Sequence, residues 1–228
     1  MNYKIANFYS STLTKILMKK ISVLIFVLLF TILAGKAQKQ EFSSPNLKSE
    51  IQKHKIVAIL PFKVDISYKK LPKGYDAEVN KAQESKDAFS MQDGMYTYLL
   101  RKADKYTVDF QDVQRTNLLL KKAGLADKLD ETLQDSICRA LKVDAVIKCS
   151  YAYEKTSSEA GAIAKTLLFG FGSSVASGTL TLQINNGTNG EMLWRYYNIM
   201  KEAAFTSSAD LMERTMRKVS RNFPYEKD

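Results

Sequence analysis

Strict alternation of apolar and polar positions is clearest near the end of the chain. Across 179–185, Leu180, Leu182 and Ile184 fall on one side and Thr179, Thr181, Gln183 and Asn185 on the other. That is the period of a half-buried strand. The run 191–201 is aromatic and apolar and holds the only tryptophan, Trp194. Between the two runs, Asn185-Asn186-Gly187-Thr188-Asn189-Gly190 supplies residues that tolerate the positive φ of a tight reversal. The pattern predicts a closing antiparallel hairpin over 177–201.

Upstream, Lys55 to Phe62 is short, apolar, rich in β-branched residues and interrupted by Pro61, which predicts a central strand buried on both faces. Residues 63–80, with Pro72 and Gly74, read as a loop. Helical spacing over 83–101 puts Ala88, Met91, Met95, Tyr98 and Leu99 on one side, and Tyr106–Phe110 reads as a brief strand. Asp112 suits an N-cap for a helix stopping at Gly124. Asp130 is a second N-cap candidate, before a helix with Leu133, Ile137 and Leu141 as its buried stripe. A strand over 144–153 turns Ala145, Ile147, Cys149, Tyr151 and Tyr153 inward and Lys148 and Ser150 outward. Ser207 or Ser208 caps a last helix with Met212, Met216, Val219 and Phe223 on its inner side. Helices alternating with strands, then a hairpin, predict an α/β fold: a mixed sheet of about five strands with helices packed on it.

The 228 residues suffice for one domain with a real core. Hydrophobic content of 45% and charged content of 25% are ordinary for a globular protein. The first segment is not ordinary. Lys19 and Lys20 precede the apolar run 21–33, and Gly35 and Ala37 provide small residues at a cut. This describes a secretory signal peptide over 1–37, with Met18 as an alternative start. The apolar run is shorter than the ~20 residues of a spanning helix. Residues 38–54 read as a flexible lead-in and 55–224 as a single α/β domain. Residues 1–37 carry five lysines (Lys4, Lys15, Lys19, Lys20, Lys36) and no acid, so their removal lowers the formal net charge from +10 to +5. Mild basicity spread over lysine-rich loops, in an exported chain, argues against a nucleic-acid partner.

Little in the residues points to catalysis. His54 is the only histidine, so a nucleophile would have no other histidine as base. One histidine with Cys138 and Cys149 does not make a zinc site. In 170–175, GFGSSV has a displaced third glycine and no lysine after it, unlike a phosphate-binding loop. No catalytic, cofactor-binding or metal-binding residue is expected, and no cofactor. Export permits a disulfide, and the two cysteines read equally as a bridge or as two buried free thiols. Trp194, Tyr196 and Tyr197 fit strand packing better than a binding platform. Asn186-Gly187-Thr188 matches a glycosylation pattern but is more simply turn chemistry. The stretch 159–178 is small, apolar and glycine-rich. Phe169 and Phe171 within it are the expected partner contacts.

Three stretches together resemble a known family. They are the strand Ile56-Val57-Ala58-Ile59-Leu60-Pro61-Phe62, the helix leading into Leu141-Lys142-Val143-Asp144-Ala145-Val146-Ile147, and the turn Asn189-Gly190-Glu191 into Met192-Leu193-Trp194. Over about 55–222 the chain resembles envelope proteins sharing the amino-terminal domain of TolB, the periplasmic domain of CsgG-like curli-secretion lipoproteins, and the lipoprotein activators of penicillin-binding proteins. The resemblance implies a non-catalytic α/β domain that binds another envelope protein, in the periplasm or on the periplasmic face of the outer membrane. An oligomeric secretion or pore component using residues 159–178 is the alternative, and peripheral membrane contact and oligomerisation stay open. Three departures bear on this. No cysteine follows the leader, so no lipid anchor is expected. Lys142 stands where the family has glycine, which predicts a helix end without its left-handed residue. No pair of long alternating hairpins is evident, so a curli-type pore is not expected.

Overall fold

The strand predicted from Lys55 to Phe62 lies inside the sheet. In the computed structural model, which describes residues 39–155, 176–202 and 208–227, β2 (Ile56–Ile59) is parallel to β4 (Asp109–Phe110) on one side and to β5 (Ala145–Lys155) on the other. Val57, Ala58, Ile59 and Leu60 are all buried. Val57 and Ile59 enter one apolar cluster, Ala58 and Leu60 another. An unbroken apolar run is what burial on both faces requires.

The full order is β1 (Lys39–Ser43), α1 (Leu47–Ile51), β2, β3 (Lys63–Tyr68), α2 (Ala77–Leu100), β4, α3 (Val113–Lys122), α4 (Gln134–Leu141), β5, β6 (Ala176–Asn186), β7 (Met192–Glu202) and α5 (Ser208–Val219). The seven strands form one mixed sheet in the order β1-β7-β6-β5-β2-β4, with β3 also paired to β5, and it does not close into a barrel. The strand β5 is central. Its first residues pair with β2 and its last six with β3, while β6 runs antiparallel along its whole other side. The hairpin β6–β7 forms as the alternation predicts, with Leu180, Leu182 and Ile184 fully buried.

Helices α2 and α5 cover the first face. Met91, Met95, Tyr98 and Leu99 from α2 and Met212, Met216 and Val219 from α5 pack on Ile147, Cys149, Leu182 and Trp194. Helices α3 and α4 supply Leu120, Ile137, Cys138 and Leu141 to the smaller cluster on the second face, around Ala58, Leu60 and Val146. Local signals explain most boundaries. The Asp112 carboxylate accepts from Arg115 N at 2.9 Å and caps α3. Gly124, at φ +69°, ends it.

Several expectations need correcting. The lead-in 38–54 is ordered from Lys39: β1 pairs antiparallel with β7 and α1 follows, and the C-terminal segment bonds back to the domain as far as Lys227, whose N–H donates to Lys105 O. The loop expected over 63–80 contains β3 and the start of α2, capped by Asp76, which accepts from Glu78 N and Val79 N. Among the described residues the sheet therefore has seven strands, against about five expected. Asp130 caps nothing. It bridges Lys63 and Lys148, at 2.9 Å to each ammonium, while α4 starts after Leu133 without a side-chain cap. Leu133 is 74% exposed, outside the stripe that buries Ile137 and Leu141. Finally, α4 does end in a left-handed residue: Lys142 itself takes φ 59° and ψ 51°.

Candidate functional site

Two of the stretches that carry the resemblance, those around Ile56 and Asp144, meet the β6–β7 turn at one junction. The Asp144 carboxylate opens β5 and accepts from the backbone N–H of Lys55 (2.7 Å) and of Ile56 (2.9 Å) at the entry to β2. Asp144 N donates to Ile56 O, and Asp144 O accepts from Gly187 N at 2.7 Å in the β6–β7 turn. A methyl group on Gly187 would lie 2.5 Å from that carbonyl oxygen, so only glycine lets the turn approach so closely.

Asn186 is buried beside it. Its Nδ2 donates to Glu50 Oε2 at 2.9 Å and its Oδ1 accepts from Thr188 N. Asn186-Gly187-Thr188 is thus turn chemistry, with the amide turned inward. Lys53 donates to Glu50 Oε1. Hydrogen bonds from Lys53 and then Asn186 hold the Glu50 carboxyl below its usual range. On the other flank of the turn, Ser44 Oγ donates to Glu191 Oε1.

His54 lies against this junction and is only 6% exposed. Its Nδ1 is 2.8 Å from the Tyr225 hydroxyl, and burial lowers its pKa. The residue lines two cavities. One of about 460 Å³ is lined by Leu47, Ile51, Thr107 and Pro224, and one of about 240 Å³ by Glu50, Lys53, Asp144 and Asn186. Tyr225 is itself fully buried, and the segment around it is fixed by Thr107 N donating to Tyr225 O.

Both cysteines are free and buried. Burial pushes the Cys138 thiol up to about 12 and the Cys149 thiol well above its ordinary value. They belong to different clusters, Cys138 on the second face and Cys149 on the first, so the sheet stands between them. Neutral thiols of this kind are poor nucleophiles. Among the described residues no group of three or more His, Cys, Asp or Glu is placed to hold a metal. Asp144, Asn186, Glu50 and Lys53 bond backbone, neighbouring side chains or each other, and what that arrangement does chemically is hold strand ends together.

Trp194 and Tyr196 are buried and stack on each other, as packing predicts. Trp194 Nε1 donates to Glu41 Oε1 at 2.9 Å, which pins β1 to β7. Phe169 and Phe171, and the GFGSSV stretch, lie outside the described residues. Reading along the chain missed Glu41, Glu50 and Asn186 as structural partners, because each meets its mate from a distant segment. It also missed Arg195, which stands beside Tyr197 on the other sheet face, its guanidinium carbon 5.8 Å from that ring. The only local signal for that pair was strand alternation. No described helix is long and apolar enough to cross a membrane.

No family model matches the chain and no curated protein matches it. Solved structures with a related chain path include a PelC dodecamer from Paraburkholderia phytofirmans, at 12% identity and TM-score 0.39, covering 83% of this chain and 98% of that one. A lipoprotein from Neisseria meningitidis matches at 11% identity and TM-score 0.38, covering 73% and 94%. The LpoB C-terminal domain from Salmonella enterica matches at 12% and 0.34, covering 68% and 93%. With TM-scores below 0.5 these are distant likenesses, and they assign neither a family nor an activity to the chain.

Proposed function

We propose that the chain is an exported, non-catalytic envelope protein that binds another envelope protein through its α/β domain, of the kind shared by TolB amino-terminal domains and CsgG-like proteins. The observation that carries this reading is the junction. Asp144 joins the entry to β2, the start of β5 and the β6–β7 turn by hydrogen bonds of 2.7–2.9 Å. Two of the stretches behind the resemblance and the adjoining turn are thus held together at one point, which supports reading them as one domain.

Support also comes from where the reactive side chains are spent. The one histidine is bonded to Tyr225, and both thiols are buried and held neutral. The signal-like segment 1–37 supports export, without a lipid anchor. Fractionation of native cells, N-terminal sequencing and amine cross-linking test the reading together. Expected are a chain beginning at Gln38 in the envelope fraction, unlipidated, and one envelope protein captured in stoichiometric yield. A cytoplasmic chain retaining residues 1–37 overturns it.

A further inference from the structure

The two sheet faces are covered unequally. Beyond the contacts of α3 and α4, three successive cross-strand rows of the second face stay accessible. The first runs Lys148, Gln183, Arg195, Phe42, the second Ser150, Thr181, Tyr197, Gln40, and the third Ala152, Thr179, Ile199. Phe42 is 47% and Ile199 42% exposed. A solvated face is ordinary for antiparallel strands, but its usual polar occupants are satisfied, and Arg195 is not. Its Nε is shut off from solvent and has no hydrogen-bond partner. Among the described residues no carboxylate pairs with it, whereas Lys148 and Lys63 share Asp130. The Tyr197 ring lies alongside the guanidinium, and Phe42 stands directly across from it on β1.

An unpaired guanidinium beside two aromatic side chains is the composition of a protein-contact centre, where Arg and Tyr dominate. Its fork matches a carboxylate. The acid Asp65 occupies the β3 position of the third row, beside Ala152, and would face an anionic lipid surface unfavourably. We infer that this open face is where the envelope partner docks, and that the partner presents a carboxylate flanked by an apolar side chain to Arg195. This rests on the envelope-binding reading above.

The test places the photo-cross-linker p-benzoylphenylalanine at Phe42, Thr181 or Ile199 of the full chain in native cells, with control positions at Lys86 on α2 and Lys122 on α3. Expected are adducts from the three open-face positions to one protein, at a peptide containing Asp or Glu. Arg195→Glu then lowers their yield more than about tenfold, and reversing that partner acid to Lys restores it. Circular dichroism of Arg195→Glu, with Arg195→Gln as the milder variant, separates loss of contact from loss of fold. A protein captured only from the control positions overturns the docking face and leaves the envelope-binding reading standing. Adducts to lipid alone, or to a second copy of the chain alone, overturn the carboxylate partner. No adduct from any position overturns both readings.

Discussion

At Lys142 a side chain with a Cβ occupies the left-handed conformation that closes α4. The turn is completed by Val143 N donating to Cys138 O at 3.1 Å, the bond pattern of a glycine-terminated helix. Backbone geometry here is set by the need to lead α4 directly into Asp144, whose carboxylate holds β2. Left-handed backbone costs an ordinary residue roughly 1–2 kcal/mol. Lys142→Gly is expected to raise unfolding free energy by about 1 kcal/mol, after the extra chain entropy of glycine, and a shifted urea midpoint with unchanged slope would show it. An unchanged or lowered midpoint would mean the lysine makes a compensating contact. The sequence carried the position of this helix end but not its conformation, because residue type alone predicts avoidance of the left-handed region there. Asp130 illustrates the same limit. Its cap-like place was legible, while its partners Lys63 and Lys148 come from other segments.

Among the elements, β3 shows how an exposed sheet margin is managed. The outward N–H of Ile66 donates to Glu84 Oε1 at 2.9 Å, and Ile66 O accepts from Asn80 Nδ2. Side chains of α2 thus occupy backbone positions that another strand could otherwise take. Glu84→Ala is expected to destabilise the domain by about 1–2 kcal/mol, the cost of leaving that donor unsatisfied. Amide exchange at Ile66 should accelerate while exchange within β6 stays slow. Equal acceleration in both strands would mean the contact serves the whole core instead. The alternation Val64, Ile66, Tyr68 was present in the sequence, but Pro72 and Gly74 dominated the reading of that stretch. The strand β1 was less legible. Phe42 is its only apolar residue, and its place depends on β7 and on the Glu41–Trp194 bond, 153 positions apart. Elements with strong internal periodicity, β2, β5, the β6–β7 hairpin and the apolar stripes of α2 and α5, were readable for the opposite reason.

For the whole molecule, His54 links acidity to stability. Facing or contacting it are Tyr225 from the C-terminal segment, Glu50 and Lys53 on and beside α1, Asp144 at β5 and Asn186 in the turn. Its folded pKa lies below the ordinary 6.5, so the unfolded chain takes up the proton first as pH falls. Stability from this group is therefore complete above about pH 7, declines as pH drops through 6.5, and levels off below the folded value. Denaturation midpoints measured from about pH 8 to pH 5.5 should show that decline, and His54→Gln should flatten it. A wild-type curve that is already flat would mean the surrounding carboxylates stabilise the charged ring. The lowered carboxyls of Glu50, Asp130 and Glu213 act in a separate, more acidic window. The α/β class and most core faces were legible before the structure, whereas the junction around Asp144 was not, since the bonds of Asp144 reach residues 89 and 43 positions away and the adjoining Glu50–Asn186 bond spans 136.

Cys138 and Cys149 are free thiols that the folded sheet keeps in separate clusters. Eleven residues apart in the chain, they can meet freely before the sheet closes. Once it has closed, they look away from each other across β5, each sealed in its own cluster. A bridge between them would lock the chain into a loop that the finished sheet does not contain. In an oxidising compartment, productive folding is then a race that burial of the thiols has to win against their oxidation.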